Sequence, residues 1–318
     1  MTLKQNVLKL SRSTGLFEAA RLATAGHLRI LGYHGLWVTP GKAFGDCTFI
    51  MPEQFERRME RLKRSGCPVL PLGEAVELLG EGKLPGSAVA ITIDDGWTST
   101  FTHMLPVLEA LDLPATLYAT TWYSGRALPV VNVVAHYLCA VAGRSGADAA
   151  LATAEIERLP VEDRLLALKR LGACLGVAED WLETRQFNIM SPDELAEARH
   201  RGLDIQLHTH RHIHVDREID RLAAEIAENR AFLAEAAGAE LVHFCYPSGS
   251  FHPDAPRLLA ASGVRSATLV TEGLNRPGAD PFTLRRLLDG PRVSDIEFDA
   301  YLAGALHFTG PIRRLMAA

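Results

Sequence analysis

Short apolar runs alternate with amphipathic segments along most of this 318-residue chain. Runs of about four to eight apolar residues bounded by turn signals predict strands, and apolar residues three or four apart predict helices. Alternation of the two is typical of parallel β/α winding. The pattern predicts strands near residues 28–33, 88–93, 114–120, 203–207, 241–246, 265–270 and 283–288, and helices at 52–64, 72–79, 101–111 and 216–237.

Residues 122–190 interrupt this alternation and form a predicted helical insertion, with helices at 147–158, 161–175 and 178–184. The barrel pattern resumes at Ser191, which begins a capping box that Glu194 closes. One interpretation of the insertion is a lid or substrate wall over a site. The alternative is a decoration that stabilises the rim of the barrel.

The chain is long enough to bury a large core, and barrels of this length commonly form one domain. The predicted fold is therefore an α/β, distorted TIM-like (β/α) barrel with a helical insertion. We divide the chain into an N-terminal helical segment, 1–26, the barrel, 27–290, with its insertion at 122–190, and a C-terminal helical segment, 291–318.

The N-terminal segment predicts an amphipathic helix over residues 3–25. We expect its basic residues to face outward while the helix docks on the barrel, and peripheral contact with a membrane surface is the alternative. The basic residues are Lys4, Lys9, Arg12 and Arg21.

Two adjacent carboxylates, Asp94 and Asp95, stand where the apolar run 88–93 ends. A hairpin at this Asp-Gly pair would need a second alternating strand directly afterwards, but the apolar residues from Phe101 onward have helical spacing. The segment is therefore strand, sharp turn and helix, and active sites of α/β proteins lie at the carboxyl ends of strands. Successive side chains leave a strand on opposite sides, so one carboxylate can ligate a metal while its neighbour accepts a proton.

Four histidines at every second position follow the predicted strand 203–207. Histidines four apart can direct both imidazoles at one ion, and two pairs have this spacing: His208 with His212, and His210 with His214. The spacing does not choose between the pairs. Two histidines and one carboxylate would leave open positions for water and substrate, as in catalytic metal sites.

These motifs resemble those of the polysaccharide deacetylases with a NodB homology domain, carbohydrate-esterase family four. The family's Thr-Phe-Asp-Asp-Gly is matched at residues 92–96, with Ile93 for the Phe, and its His-Ser/Thr-x-x-His at residues 208–212. The resemblance extends over roughly residues 28–290 and implies a barrel of the NodB type. It implies that Asp95, His208 and His212 hold one divalent metal ion, most often zinc (cobalt, nickel or manganese are alternatives), and that Asp94 is the general base.

The third family motif, Arg-x-Pro-Tyr-Gly, is only partly kept. Residues 245–249 read Cys-Tyr-Pro-Ser-Gly, so Cys245 and Ser248 occupy the Arg and Tyr positions. By the resemblance, the backbone N–H of Tyr246 is the candidate donor to the oxyanion that forms on the substrate.

The leaving amine has no assigned proton donor, because the family's late Leu-x-His motif has no counterpart in residues 282–290. His34 also ends a predicted strand, and it is either the replacement donor or a structural histidine beneath the mouth of the barrel. Trp97, beside the carboxylates, is either a stacking surface for a sugar ring or a core residue. Both are candidates for contact with substrate.

Composition excludes several function classes. The net charge is −5 and no basic stripe with interleaved aromatic residues is present, so nucleic acid is not an expected partner. No apolar stretch approaches the roughly 18 residues that cross a membrane. The five cysteines are scattered, odd in number and without metal-ligand spacing, which favours free thiols in a reducing cytoplasm and predicts a cytoplasmic protein.

The resemblance implies a hydrolase acting on a non-peptide C–N bond. Its expected substrate is an N-acetylated amino sugar of a bacterial surface polysaccharide or glycolipid precursor. The altered third motif and the missing late histidine support two alternatives: a catalytically impaired glycan-binding relative, or an amidohydrolase acting on a non-sugar amide. The sequence leaves the oligomeric state open.

Overall fold

The computed structural model of the protein describes residues 3–45, 48–238 and 240–308. Its strands are β1 (Arg29–Tyr33), β2 (Gly35–Leu36), β3 (Phe49–Ile50), β4 (Val89–Asp95), β5 (Thr116–Ala119), β6 (Asp204–Leu207), β7 (His243–Cys245), β8 (Ser266–Thr268) and β9 (Leu287–Leu288). Its helices are α1 (Leu3–Ser13), α2 (Leu16–Ala23), α3 (Pro52–Arg64), α4 (Leu72–Gly80), α5 (Leu105–Ala110), α6 (Val131–Val141), α7 (Gly146–Glu157), α8 (Val161–Leu175), α9 (Asp180–Glu183), α10 (Pro192–His200), α11 (Leu222–Ala237), α12 (Ala255–Ala261), α13 (Asp295–Leu302) and α14 (Ala305–Phe308).

Seven of the strands form one parallel sheet in the order β8-β7-β6-β5-β4-β1-β9. The sheet curls, because Leu284, just before β9, bridges Thr268 of β8 while β9 itself pairs with β1 at the opposite end of the order. The remaining strands, β2 and β3, form a separate parallel pair. The α/β barrel predicted from the alternation is confirmed, and the carboxyl ends of the strands share one rim.

Strand β4 shows why the predicted strands form continuous apolar runs. All seven of its residues are buried, since helices cover the outside of a parallel sheet while its inner face fills the barrel. Ile91 and Ile93 belong to the large core between the sheet and the helices. Ala90 belongs to a smaller interior core, where residues of α4 pack against Leu28, Ile30 and Tyr118.

The insertion predicted at 122–190 is helical, and the helices expected at 147–158, 161–175 and 178–184 correspond to α7, α8 and α9. Helix α6 was not predicted from the sequence. The insertion forms a second, aromatic core with Trp37, whose ring packs edge to face on Phe187 and at a tilt on Tyr137. Trp97 belongs to the same cluster, so the insertion is packed directly against the end of β4.

The N-terminal segment differs from its prediction in the number of its helices. The single helix expected over 3–25 is broken into α1 and α2 at Gly15, whose φ of 79° lies in the left-handed region that glycine adopts readily. The expected outward direction holds for Arg12, which is 60% exposed, although Arg12 and the partly exposed Lys4 also pair with acids of α13. At the other end, α13 and α14 lie in the predicted C-terminal helical segment, and residues 309–318 of that segment lie outside the described residues.

Candidate functional site

The site begins at two sharp turns that follow β4 and β6. Three of the residues in these turns are not glycine and yet have positive φ: Asp95 at 71°, Thr209 at 61° and His212 at 55°. Such conformations are strained for residues with a Cβ and tend to cluster at functional sites. The two turns bring Asp95, His208 and His212 together.

The three side chains direct one ligand atom each toward a common point. The Nε2 atoms of His208 and His212 lie 3.2 Å and 3.3 Å from Oδ1 of Asp95, and the ligand atoms all lie within 4.8 Å of one another. Burial raises the pKa of Asp95, but the two imidazoles that face it outweigh burial and leave that pKa well below its usual range. Burial alone would lower the pKa of His212, but the Asp95 carboxylate outweighs burial, so the pKa of His212 is raised.

These residues fit a divalent metal ion. Oδ1 of Asp95 is buried and forms no hydrogen bond, whereas a buried carboxylate oxygen normally has a partner. The Nδ1 atom of His208 lies 2.8 Å from the carbonyl oxygen of Cys245, so Nδ1 carries the proton and the Nε2 lone pair is directed into the cluster. Two imidazole nitrogens and one carboxylate oxygen form a donor set typical of zinc and other transition metals.

The second histidine pair points elsewhere. The Nδ1 atom of His210 lies 2.8 Å from Oγ1 of Thr121, its Nε2 lies 3.7 Å from Glu228, and His214 is exposed. The structure therefore selects His208 and His212 from the alternatives that the spacing left open.

Asp94 lies beside this cluster on the inner face of the barrel, and its partner is Arg286. The guanidinium donates from Nη1 to Oδ1 and from Nη2 to Oδ2, both at 2.7 Å. Nη1 also donates to Oγ1 of Thr92, and Nη2 lies 3.0 Å from the thiol sulfur of Cys245. Arg286 thus fills the space beside the Cys245 side chain, where the third family motif would place an arginine.

Arg286 was not identified as a site residue from the sequence, although a signal was present. In the predicted strand 283–288, side chains alternate between faces, so Arg286 shares the inner face with apolar Leu284. A charged residue on an inward face needs a partner inside the barrel. The neighbouring strand β1 has Gly32 beside it, where an added Cβ would be in ordinary contact with Nη1 of Arg286 at 3.5 Å and would clash with Cδ2 of Leu288 at 2.6 Å.

Trp97 was a candidate stacking surface for a sugar ring, and the structure gives it another position. Its indole N–H donates to Oδ2 of Asp95 at 2.8 Å, and its ring packs against Phe49 with 5.1 Å between the ring centroids. Only 3% of the side chain is exposed, which leaves no open face for a sugar. Trp97 therefore orients Asp95 from within the aromatic core of the insertion.

His34 and Tyr246 were the other candidates for contact with substrate. His34 follows β1, and its Nε2 lies 3.8 Å from Oδ2 of Asp94 in a partly open position at the rim. The backbone N–H of Tyr246 donates to the carbonyl oxygen of Thr268 at 3.2 Å, so it is engaged within the sheet rather than free for an oxyanion. The Tyr246 ring is buried against Phe244 and Phe251.

The arrangement combines an oxygen and nitrogen donor set with an ionisable carboxylate and an imidazole at one rim. Such a set can bind a cation, accept a proton and donate a proton around one substrate bond.

Comparison with known proteins identifies a family for the chain. A family profile described as polysaccharide deacetylase matches residues 81–267, more than half of the chain. No curated protein shows a significant sequence match to the chain.

Several solved structures share the fold. A deacetylase from Streptococcus pyogenes, PplD, solved in complex with acetate, superposes with a TM-score of 0.63 at 16% identity, over 88% of this chain and 99% of that one. IcaB from Ammonifex degensii gives a TM-score of 0.61 at 22% identity, over 87% and 97% of the two chains. A de-N-acetylase from Aggregatibacter actinomycetemcomitans gives 0.60 at 15%, over 86% and 99%.

Proposed function

The chain belongs to the polysaccharide deacetylase family, and we propose that it is a metal-dependent hydrolase that removes the N-acetyl group from an amino sugar of a bacterial surface polysaccharide or glycolipid precursor. The observation that carries this proposal is the convergence of Asp95, His208 and His212 beside the buried pair of Asp94 and Arg286. The names of two fold relatives, a deacetylase with bound acetate and a de-N-acetylase, suggest acetyl as the acyl group to test first.

Asp95, His208 and His212 would hold the metal, for which zinc is the first candidate. A divalent ion at this position supplies Lewis acidity toward an amide carbonyl, which is a poor electrophile by itself. Trp97 keeps Asp95 oriented through its indole N–H, and the carbonyl of Cys245 fixes the tautomer of His208.

Asp94 is proposed as the general base. Its carboxylate is held ionised by Arg286, which uses one lone pair of each oxygen and leaves the others able to accept a proton from an attacking water. Because Asp94 and Asp95 are neighbours at the end of β4, the proton acceptor lies directly beside the proposed metal ligand.

His34 is proposed as the donor of a proton to the leaving amine. Strands β1 and β4 are paired, so the residue after β1 and the carboxylates that end β4 share the rim. His34 Nε2 faces Asp94, and its Nδ1 has no hydrogen-bond partner. An imidazole in this position can replace the late histidine that residues 282–290 lack.

The test is acetate release from a panel of N-acetylhexosamines, N-acetylated oligosaccharides, nucleotide sugars and lipid-linked sugars, with the purified protein loaded with zinc, cobalt, nickel or manganese. We expect release from at least one sugar substrate, loss of release after chelation, and no release with Asp94→Asn despite full metal content. A protein that binds glycans but releases no acetate with any metal would establish the glycan-binding alternative. Release only from non-sugar amides would establish the second alternative.

The cellular location stays a prediction. The four cysteines among the described residues, Cys67, Cys139, Cys174 and Cys245, are free thiols. A cytoplasmic enzyme would act on a precursor rather than on finished cell wall. Acetate release from the lipid-linked or nucleotide sugars of the panel would support this location.

A further inference from the structure

Helix α1 presents its apolar side to solvent. Leu3, Val7 and Leu10 lie at positions i, i+4 and i+7, which places them on one face of a helix. Their exposed fractions are 66%, 41% and 65%, whereas Leu8 is the only buried residue of α1. We call the row Leu3, Val7 and Leu10 the α1 apolar stripe.

The opposite side of α1 is attached to the protein through Leu8, which belongs to the large core, and through ion pairs. Lys4 pairs with Glu297 and Arg12 pairs with Asp299 at 2.9 Å, both across the interface with α13. Most of the apolar surface of α1 therefore stays outside, whereas an ordinary surface helix buries it. The stripe therefore has no partner among the described residues.

Two basic side chains of α1 remain accessible although they pair with α13. Lys4 and Arg12 are 41% and 60% exposed, while their acidic partners Glu297 and Asp299 are 13% and 16% exposed. Helix α1 itself contains no acidic residue. A surface that covers the stripe therefore finds accessible cations on the same helix, while the acids that pair with them are more deeply buried.

We propose that the α1 apolar stripe docks on the surface of an anionic lipid bilayer, with α1 lying in the plane of the interface. A helix with an exposed apolar row and accessible Lys and Arg side chains is suited to this position, since its apolar side chains enter the acyl boundary while its cations attract anionic headgroups. Leu16 and Leu22 of the adjoining α2, which are 56% and 79% exposed, add to the apolar surface at this end of the protein.

The size of the stripe favours a bilayer over a second copy of the chain. A stable protein interface buries roughly 800 Å² on each partner, and a few partly exposed side chains offer only a fraction of that. A bilayer needs no matching surface, because each inserted side chain contributes independently. The proposal does not depend on the deacetylase activity.

None of the helices in the described part of the chain is long and apolar enough to cross a membrane. Docking would therefore be peripheral, and the binding should be reversible.

The experiment is cosedimentation of the full chain with sucrose-loaded vesicles, either of phosphatidylcholine alone or of phosphatidylcholine mixed with phosphatidylglycerol. We expect the wild type to bind the mixed vesicles, and a triple variant, Leu3→Gln, Val7→Gln and Leu10→Gln, to lose at least about tenfold in partition coefficient. Binding should weaken as salt is raised, because the cations contribute to it.

A matched control removes equal apolar surface elsewhere: Val141→Gln, Leu151→Gln and Leu166→Gln, which are 58%, 65% and 49% exposed on α6, α7 and α8. This control should bind as the wild type does. The proposal is overturned if the wild type stays in the supernatant with both vesicles, if both triple variants bind alike, or if light scattering shows a dimer that the α1 variant dissociates. Acetate release from a water-soluble substrate should be the same in all three proteins. A failure of vesicle binding can therefore be distinguished from a failure of the proposed deacetylase function.

Discussion

Arg286 holds Asp94 through two parallel hydrogen bonds of 2.7 Å, one to each carboxylate oxygen. Both side chains are buried. Burial raises the pKa of Asp94, but the Arg286 guanidinium outweighs burial and leaves the pKa lowered. The fold therefore stabilises Asp94 as a carboxylate, the form that a proton acceptor needs before the reaction starts.

Replacing Arg286 tests this pair. Arg286→Met leaves a buried carboxylate without its counter-ion, and we expect the free energy of unfolding at neutral pH to fall by about 3–5 kcal/mol. Arg286→Lys keeps the charge but loses the planar fork, so it should destabilise less and still lower kcat. Urea denaturation and steady-state kinetics measure the two effects.

The neighbouring exposed residue supplies the control for Arg286. Arg285→Met should change stability by no more than about 0.5 kcal/mol, because its side chain is exposed. If Arg286→Met unfolds at the same urea concentration as Arg285→Met, the ion pair of Arg286 and Asp94 does not stabilise the fold as expected.

Trp97→Phe tests the orientation of Asp95. The substitution keeps an aromatic ring near Phe49 but removes the indole N–H that donates to Oδ2. Loss of such a supporting hydrogen bond should weaken metal affinity by about 10–100-fold, which competition with a chelator would measure. Trp181→Phe is the control, since Trp181 is also buried but its indole nitrogen has no partner; unchanged affinity in both variants would contradict the role of Trp97.

The metal ligands are tested by elemental analysis. Asp95→Ala, His208→Ala and His212→Ala should each be purified without metal, because each removes one of three donors. His210→Ala should retain a full equivalent, since His210 faces Thr121 and Glu228 instead. Metal loss from His210→Ala with retention in His212→Ala would mean that the other histidine pair holds the ion.

His34→Gln tests the proton donor. With an amide substrate we expect kcat to fall by about 10²–10⁴-fold with unchanged metal content, because the amine cannot leave without a proton. An aryl acetate whose leaving group needs no protonation should be hydrolysed at the wild-type rate. An equal defect on both substrates would show that His34 has a structural role at the rim.

The parts of the site that could be predicted are those whose residues are close in sequence. Asp94 and Asp95 end one buried strand, and the spacing of His208 and His212 limits the possible ligands to two pairs. Arg286 could not be assigned to Asp94 in this way, because 192 residues separate them and only the closing of the barrel makes them neighbours. An inward-facing arginine was visible in the strand pattern, but its partner was not.

The sequence left the surroundings of Trp97 and α1 open for a related reason. An aromatic residue after a strand has the same local pattern whether it faces a substrate or a second core, and here the helical insertion supplies that core. The spacing of apolar and basic residues in α1 identifies its two faces, but it does not show which face contacts the protein. The burial of Leu8 and the ion pairs with α13 decide this, and α13 lies near the other end of the sequence.

Asp289 gives the protein a pH-dependent stability. Its carboxylate accepts hydrogen bonds from Nε of Arg58 at 2.9 Å and from the Tyr33 hydroxyl at 3.1 Å, while its Oδ1 is buried without a partner. Burial outweighs these partners and raises the pKa of Asp289 from 3.8 to about 6. Asp289 lies apart from the proposed metal ligands, so its titration can be followed separately.

The sign of the effect follows from linkage. The folded state holds the Asp289 proton more tightly than the unfolded state, so between pH 3.8 and about 6 the contribution of Asp289 to stability falls as pH rises. A pKa difference of this size corresponds to about 3 kcal/mol at most. Asp289→Asn lacks this titration, so the unfolding free energy of the wild type minus that of the variant should decrease across this range and be constant above it. Urea denaturation of both proteins at a series of pH values measures the difference, and a difference that does not change with pH, or that grows as pH rises, would mean that Arg58 keeps Asp289 ionised throughout.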